Sequence, residues 1–177
     1  MPLFRRSKDS DYREAAKLLA DNRPKEAVEK LREILEKNPD NSNARVSLAV
    51  GLMQMQEEPK RDDPLTKEAM KHFDLAAESN PDDPVPLFNK GVSLRHLGEL
   101  EEAMKSFEAV LEREERNALA TLHMAEINYE LENWDEAIEL ARVALVRDPT
   151  LEPNLGWVRV ALRRAGRLDD PTAVPRD

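Results

Sequence analysis

The chain has 177 residues, 40% hydrophobic and 5% aromatic, with no cysteine and a formal net charge of −9. Without cysteine there is no disulfide framework, thiolate metal site or cysteine nucleophile, and the acidic balance disfavours broad nucleic-acid binding. No apolar run approaches the ~18 residues of a membrane span, and Met1-Pro-Leu-Phe-Arg-Arg lacks the apolar core of a secretory signal. The expectation is a cytoplasmic protein with no direct membrane insertion.

Residues 1–7 read as a tail, made basic by Arg5 and Arg6. Residues 8–41 read as a first helical hairpin. Its second helix follows Asn22-Arg23-Pro24, with Pro24 suited to a first helical turn. Ala27, Leu31, Ile34 and Leu35 recur there at helical spacing. Asn38-Pro39-Asp40-Asn41 closes the unit, because the residue before proline leaves the α region and Asp, Asn or Ser can cap the next helix.

Residues 42–83 form the second unit, eight residues longer. The excess falls at 57–64, where two prolines and six charged residues predict a loop or a broken helical extension. Residues 84–117 and 118–151 repeat the pattern, with Gly98 dividing the third unit and Asp148-Pro149 ending the fourth. Residues 152–168 match only the first half of a unit, with Gly166 and Leu168 in register with Gly98 and Leu100. Pro171 stands where a further helix would need its small residue, so 152–168 is expected to be a single capping helix and 169–177 a tail.

Across these units Ala27, Ala69, Ala103 and Ala137 recur at steps of 42, 34 and 34 residues. A 34-residue period of helix-turn-helix units signifies stacked hairpins. Together with small residues at Ala15, Ala49, Gly91 and Ala125, and prolines at Pro39, Pro81 and Pro149, the pattern resembles the tetratricopeptide repeat family. The resemblance covers residues 8–168. Glu115 departs from it where proline is usual, and Ile34 and Val110 are larger than the usual residue. It implies an all-α, right-handed α-solenoid of four hairpins plus a capping helix. Small residues are needed where paired helices cross, since a large side chain there costs roughly 1–3 kcal/mol in overpacking.

The resemblance also implies a concave groove lined by the first helix of each unit. Its contact positions here are Tyr12, Val46, Val50, Met53, Phe88, Val92, Leu122 and Tyr129, an apolar stripe of the kind that marks interaction sites. Arg95, Glu126 and Arg163 fall in the same register and would set orientation. The implied function is a protein–protein interaction module, an adaptor or co-chaperone-like scaffold. It would dock a peptide or helical segment with apolar anchors.

The family's carboxylate clamp for chaperone C-termini is not expected. Of its Lys, Asn and Arg set only Asn89 is matched, and Val and Phe at the other places form no charge-assisted hydrogen bonds. A self-assembling structural scaffold is the alternative reading. An enzyme or metal site around His123, Glu126 and Glu130 is a weaker one, because these residues read first as a solvated helix face. No phosphate loop, GxSxG or HExxH motif occurs, so no enzyme activity and no cofactor are expected.

Overall fold

Proline starts helices in this protein and asparagine caps them. A computed structural model describes residues 3–168, with side chains from Ser10 onward. Among them lie nine α-helices and no strand: α1 (Leu3–Ala20), α2 (Pro24–Lys37), α3 (Ser42–Gln54), α4 (Pro64–Ser79), α5 (Val85–His96), α6 (Leu100–Arg113), α7 (Ala118–Glu130), α8 (Trp134–Arg147) and α9 (Val158–Arg164). Pro24 and Pro64 open α2 and α4 at a position whose N–H has no helical partner.

The caps recur with the repeat. Asn41 Oδ1 accepts from Ala44 N at 3.0 Å and Asn117 Oδ1 from Ala120 N at 2.8 Å, each satisfying a free N–H of a helix first turn. Asp83 holds the same register but meets Pro86, which has no N–H, three residues on. Its Oδ1 accepts instead from Val85 N at 2.9 Å. In the fourth unit Leu151 stands at this position and cannot cap. Asp148 accepts from Thr150 N, and a 3₁₀ segment follows over Pro149–Leu155.

That segment corrects the expected capping helix. Pro153 lies within the 3₁₀ segment, and only the seven residues of α9 are α-helical. The proline ring and missing N–H stop a continuous helix over 152–168. The expected N-terminal tail is corrected too. Helix begins at Leu3, because no glycine or proline interrupts residues 3–22. The tail at 169–177 lies outside the described residues.

The chain divides into two compact units, Met1–Leu97 and Gly98–Asp177, a boundary that falls inside the third repeat. In the first, α3 packs on α1, α2, α4 and α5, and so buries residues on several sides: Ala44, Val46, Leu48, Ala49, Gly51, Leu52 and Met53. Ala15, Ala27, Ala49 and Ala69 are fully buried, and Phe73 fills the space beside them. A Cβ on Gly51 would come within 2.9 Å of Val28 Cγ2, so this helix passes close to its neighbours. Arg32 reaches Glu68 at 2.9 Å and Lys90 reaches Asp74 at 2.6 Å, tying α2 and α5 to α4.

In the second unit α7 packs on α6 and α8, and α8 on α9. Ala125, Ala137, Ile138, Ala144 and Ala161 are fully buried. Phe107 is also fully buried, with the His123 ring stacked on it at 5.0 Å. Burying a phenylalanine side chain contributes roughly 1.5–3 kcal/mol. Residues 55–63, containing most of the insertion, link α3 to α4 without helix. Gln56 anchors the start of this loop, donating to Leu52 O at 3.0 Å and accepting from the buried Thr66 hydroxyl at 3.1 Å.

Candidate functional site

The residues expected to line a groove sit on α1, α3 and α5 of the first unit and on α7 and α9 of the second. In the first unit, α3 and α5 flank a cleft of about 260 Å³. Val50, Met53 and Val92 give it an apolar lining, and Gln54, Gln56, Asn89, Ser93 and His96 supply polar groups. The cleft therefore joins three of the expected contact residues. Tyr12 lies half-buried on α1, with its hydroxyl 3.1 Å from Ser47 Oγ of α3. Phe88 and Arg95 are half-buried on α5.

Exposure separates the expected residues. Val46, Met53 and Leu122 are 7%, 9% and 3% exposed, so their side chains are mainly core and present little area to a partner. Val92 is 37% exposed. Three further apolar residues are more open still: Val85 at 48%, Leu119 at 46% and Val160 at 45%. Val85 and Leu119 hold the second position of their units, and Val92 and Val160 the ninth. The second and ninth positions thus carry the open apolar surface, while at the fifth Val46 and Leu122 are buried and Phe88 is half-buried. The 34-residue register itself could have found Val85 and Leu119.

In the second unit Tyr129 lies between two indoles, with ring centroids 5.4 Å from Trp134 and 4.9 Å from Trp157. Edge-on and tilted aromatic contacts of this kind hold a ring in one orientation. Glu126 Oε2 is 3.2 Å from His123 Nδ1, both half-buried on α7. The pair is three residues apart on one helix face, which explains its approach. Among the described residues no group of three or more His, Asp or Glu is placed to hold a metal ion, and Glu130 does not complete a site with His123 and Glu126. Arg163 is exposed on α9.

No helix among the described residues is long and apolar enough to cross a membrane. His96, and Asn89, the one residue that matches the carboxylate clamp, both line the α3–α5 cleft. His96 and Gln54 hold the same register position in consecutive units, a signal that was present in the repeat.

Comparison with known proteins bears on this arrangement. Residues 88–152 match the tetratricopeptide repeat family. Hsp70-Hsp90 organizing protein 1 of Glycine max is 23% identical over 110 residues, 62% of this chain and 19% of that protein. The chain therefore spans about a fifth of the length of that relative. A MamA structure from Desulfovibrio magneticus RS-1, covering 41 to the end, superposes with a TM-score of 0.73 at 19% identity. The match covers 94% of this chain and 89% of that one. A structure of Naa15/Naa10 bound to HypK-THB gives a TM-score of 0.66 at 17% identity, over 92% of this chain and 23% of that one. The shared feature is the all-α fold of stacked helical repeats.

Proposed function

We propose that this chain, a tetratricopeptide-repeat protein, is an adaptor that docks a segment of another protein on the faces of its first-position helices. The observation that carries this reading is the α3–α5 cleft of about 260 Å³, with Val50, Met53 and Val92 beside the amides of Gln54, Gln56 and Asn89. Apolar lining with a few polar groups suits a peptide that inserts apolar anchors and hydrogen-bonds through its backbone. The open apolar residues Val85, Leu119 and Val160 support the same reading, since exposed apolar surface favours a partner over water.

The expected contact set narrows accordingly. In the first unit Val50, Phe88 and Val92 carry the apolar contact and Arg95 the orientation; in the second, taken by itself, Tyr129 offers apolar contact and Glu126 and Arg163 charge. Val46 and Leu122 act mainly by holding their helices in place, Met53 adds its edge to the cleft lining, and Tyr12 acts by its contact with Ser47. The reading involves no catalysis and no cofactor. A cytoplasmic setting belongs to it and rests on the cysteine-free sequence.

The test is affinity capture followed by a measured dissociation constant for the protein recovered. Val92→Glu places a charge in the cleft, and binding should weaken by ~2 kcal/mol or more, about thirtyfold. Phe88→Ala should weaken it in the same sense. Unchanged affinity in both variants, each shown to be folded by circular dichroism, would refute the groove.

A further inference from the structure

We propose that the solvent face of α9 is a docking surface for an acidic segment of a partner protein. The helix buries Val158, Ala161 and Leu162 and leaves Arg159, Val160, Arg163 and Arg164 exposed. Those four residues are spaced i, i+1, i+4 and i+5, so they form one continuous stripe, with Arg159 beside Arg163 and Val160 beside Arg164. Among the described residues, none of the three guanidinium groups has a hydrogen bond or an ion pair.

Two carboxylates of α8, Asp135 and Glu139, are engaged by other arginines. Arg167 binds Asp135 and Glu139 of α8, each at 3.1 Å. Glu139 also accepts from Arg142 at 2.9 Å, and these two arginines hold its carboxyl below the usual range. Residues 152–168 carry four arginines and one glutamate, followed in the sequence by Asp169 and Asp170, in a chain whose net charge is −9. The stripe is therefore a local reversal of the protein's charge, and an acidic partner is the complement it lacks.

The chemistry of the stripe defines its ligand. A guanidinium presents a planar fork that holds a carboxylate by two hydrogen bonds, and it stays charged at any physiological pH. Arg159 and Arg163 are one turn apart, so carboxylates about 5–6 Å apart meet both. Val160, 45% exposed, gives an apolar residue of the same segment a place between the charges. This inference rests on the reading of the chain as a protein-docking module and adds the charge of the docked segment. Arg163 and Val160 serve both readings, and the two still fail separately because Val92 of the α3–α5 cleft takes no part here.

The test uses the full chain and a fluorescein-labelled peptide, Glu-Glu-Leu-Glu-Glu-Leu-Glu-Glu, followed by anisotropy at 150 mM salt. Binding should saturate and weaken at 300 mM salt, since exposed charge pairs are screened. Arg163→Glu/Arg164→Glu and the milder Arg163→Gln/Arg164→Gln should each weaken it at least tenfold. Arg116→Glu, an exposed change on a loop, and Val92→Glu should leave it unchanged. Equal binding by the wild type and the glutamine variant would overturn the proposal. It would also be overturned if vesicles with 30% phosphatidylserine bound α9 in place of the peptide. Binding that emerges only after Asp169→Asn/Asp170→Asn would mean that the chain's own carboxylates fill the stripe, and would overturn it as well. Light scattering that shows dimers lost in the Arg163→Glu/Arg164→Glu variant would assign the surface to a second copy, against the proposal.

Discussion

Glu132 and Gly166, thirty-four residues apart in sequence, adopt the same left-handed backbone, with φ of 62° and 69°. Gly98 shares the register at φ 77°, and Asn22 has φ 56° at the same place in the first unit. Each such bend ends a first helix. Arg23 N, Asn133 N and Arg167 N then bond back to Leu18 O, Asn128 O and Leu162 O, all at 2.8 Å. This is the doubly bonded helix end that a left-handed residue makes possible.

Glutamate is the misfit in that series, because a Cβ in the left-handed region crowds the following carbonyl and costs roughly 1–2 kcal/mol. Glu132→Gly should therefore raise stability by about 1 kcal/mol after the glycine's extra unfolded-state entropy is counted. The reverse change, Gly166→Glu, should lower it by a similar amount. Urea denaturation of both variants checks this, and loss of stability in Glu132→Gly would show that the glutamate side chain holds the bend.

The helix-crossing argument gives a second expectation. Ala69 on α4 is fully buried, as is Ala49 on α3, the helix that packs against it. Ala69→Leu adds three carbons where no space exists and should cost about 1–3 kcal/mol. Glu36→Gln, at an exposed site on α2, should be near neutral. Equal melting temperatures for the two variants would mean that α3 and α4 are not held in contact by small residues.

How much of this was legible follows from what each signal measures. The alanine period reads a contact that every unit repeats, and Ala27, Ala69, Ala103 and Ala137 are all 0% exposed. The asparagine caps were legible for the same reason. The capping segment was not, because register alignment of Gly166 and Leu168 outweighed the local effect of Pro153. Of the expected contact residues, Val50, Met53 and Val92 share the α3–α5 cleft, but the depth of each side chain was not legible. Periodicity along one helix cannot say what a neighbouring helix covers, so Val46 and Leu122 read as contacts although both are buried, while Val85 and Leu119 were passed over.

The loop after α3 gives a double-mutant test. Thr66 is fully buried, and its hydroxyl donates to Gln56 Oε1 at 3.1 Å. Gln56→Leu leaves that hydroxyl without its acceptor and should cost about 1–3 kcal/mol. Adding Thr66→Val removes the orphaned group, so the double variant should recover much of the loss. Additive single effects in urea denaturation would show no coupling between the two side chains.

His72 supplies the pH prediction. It lies on α4 with its ring largely covered, and Nδ1 is buried without a hydrogen-bond partner among the described residues. Burial lowers its pKa from the ordinary value. Glu68, whose Oε1 is 3.9 Å from Nε2, opposes the shift, while Arg45, Lys71 and Arg32 add to it. The folded protein thus holds the ring neutral at a pH where the unfolded chain already protonates it. Between the depressed folded pKa and the ordinary value near 6.5, the unfolded state binds more protons, so stability rises with pH. The contribution is fully present above pH ~6.5 and is lost as pH falls through the folded pKa. His72→Gln removes the titration. The wild type should therefore lose more stability than the variant between pH 7.5 and 5.0, measured as the shift in urea midpoint. The acidic groups common to both cancel in that comparison, so parallel shifts would show that the ring is solvated well enough to titrate normally.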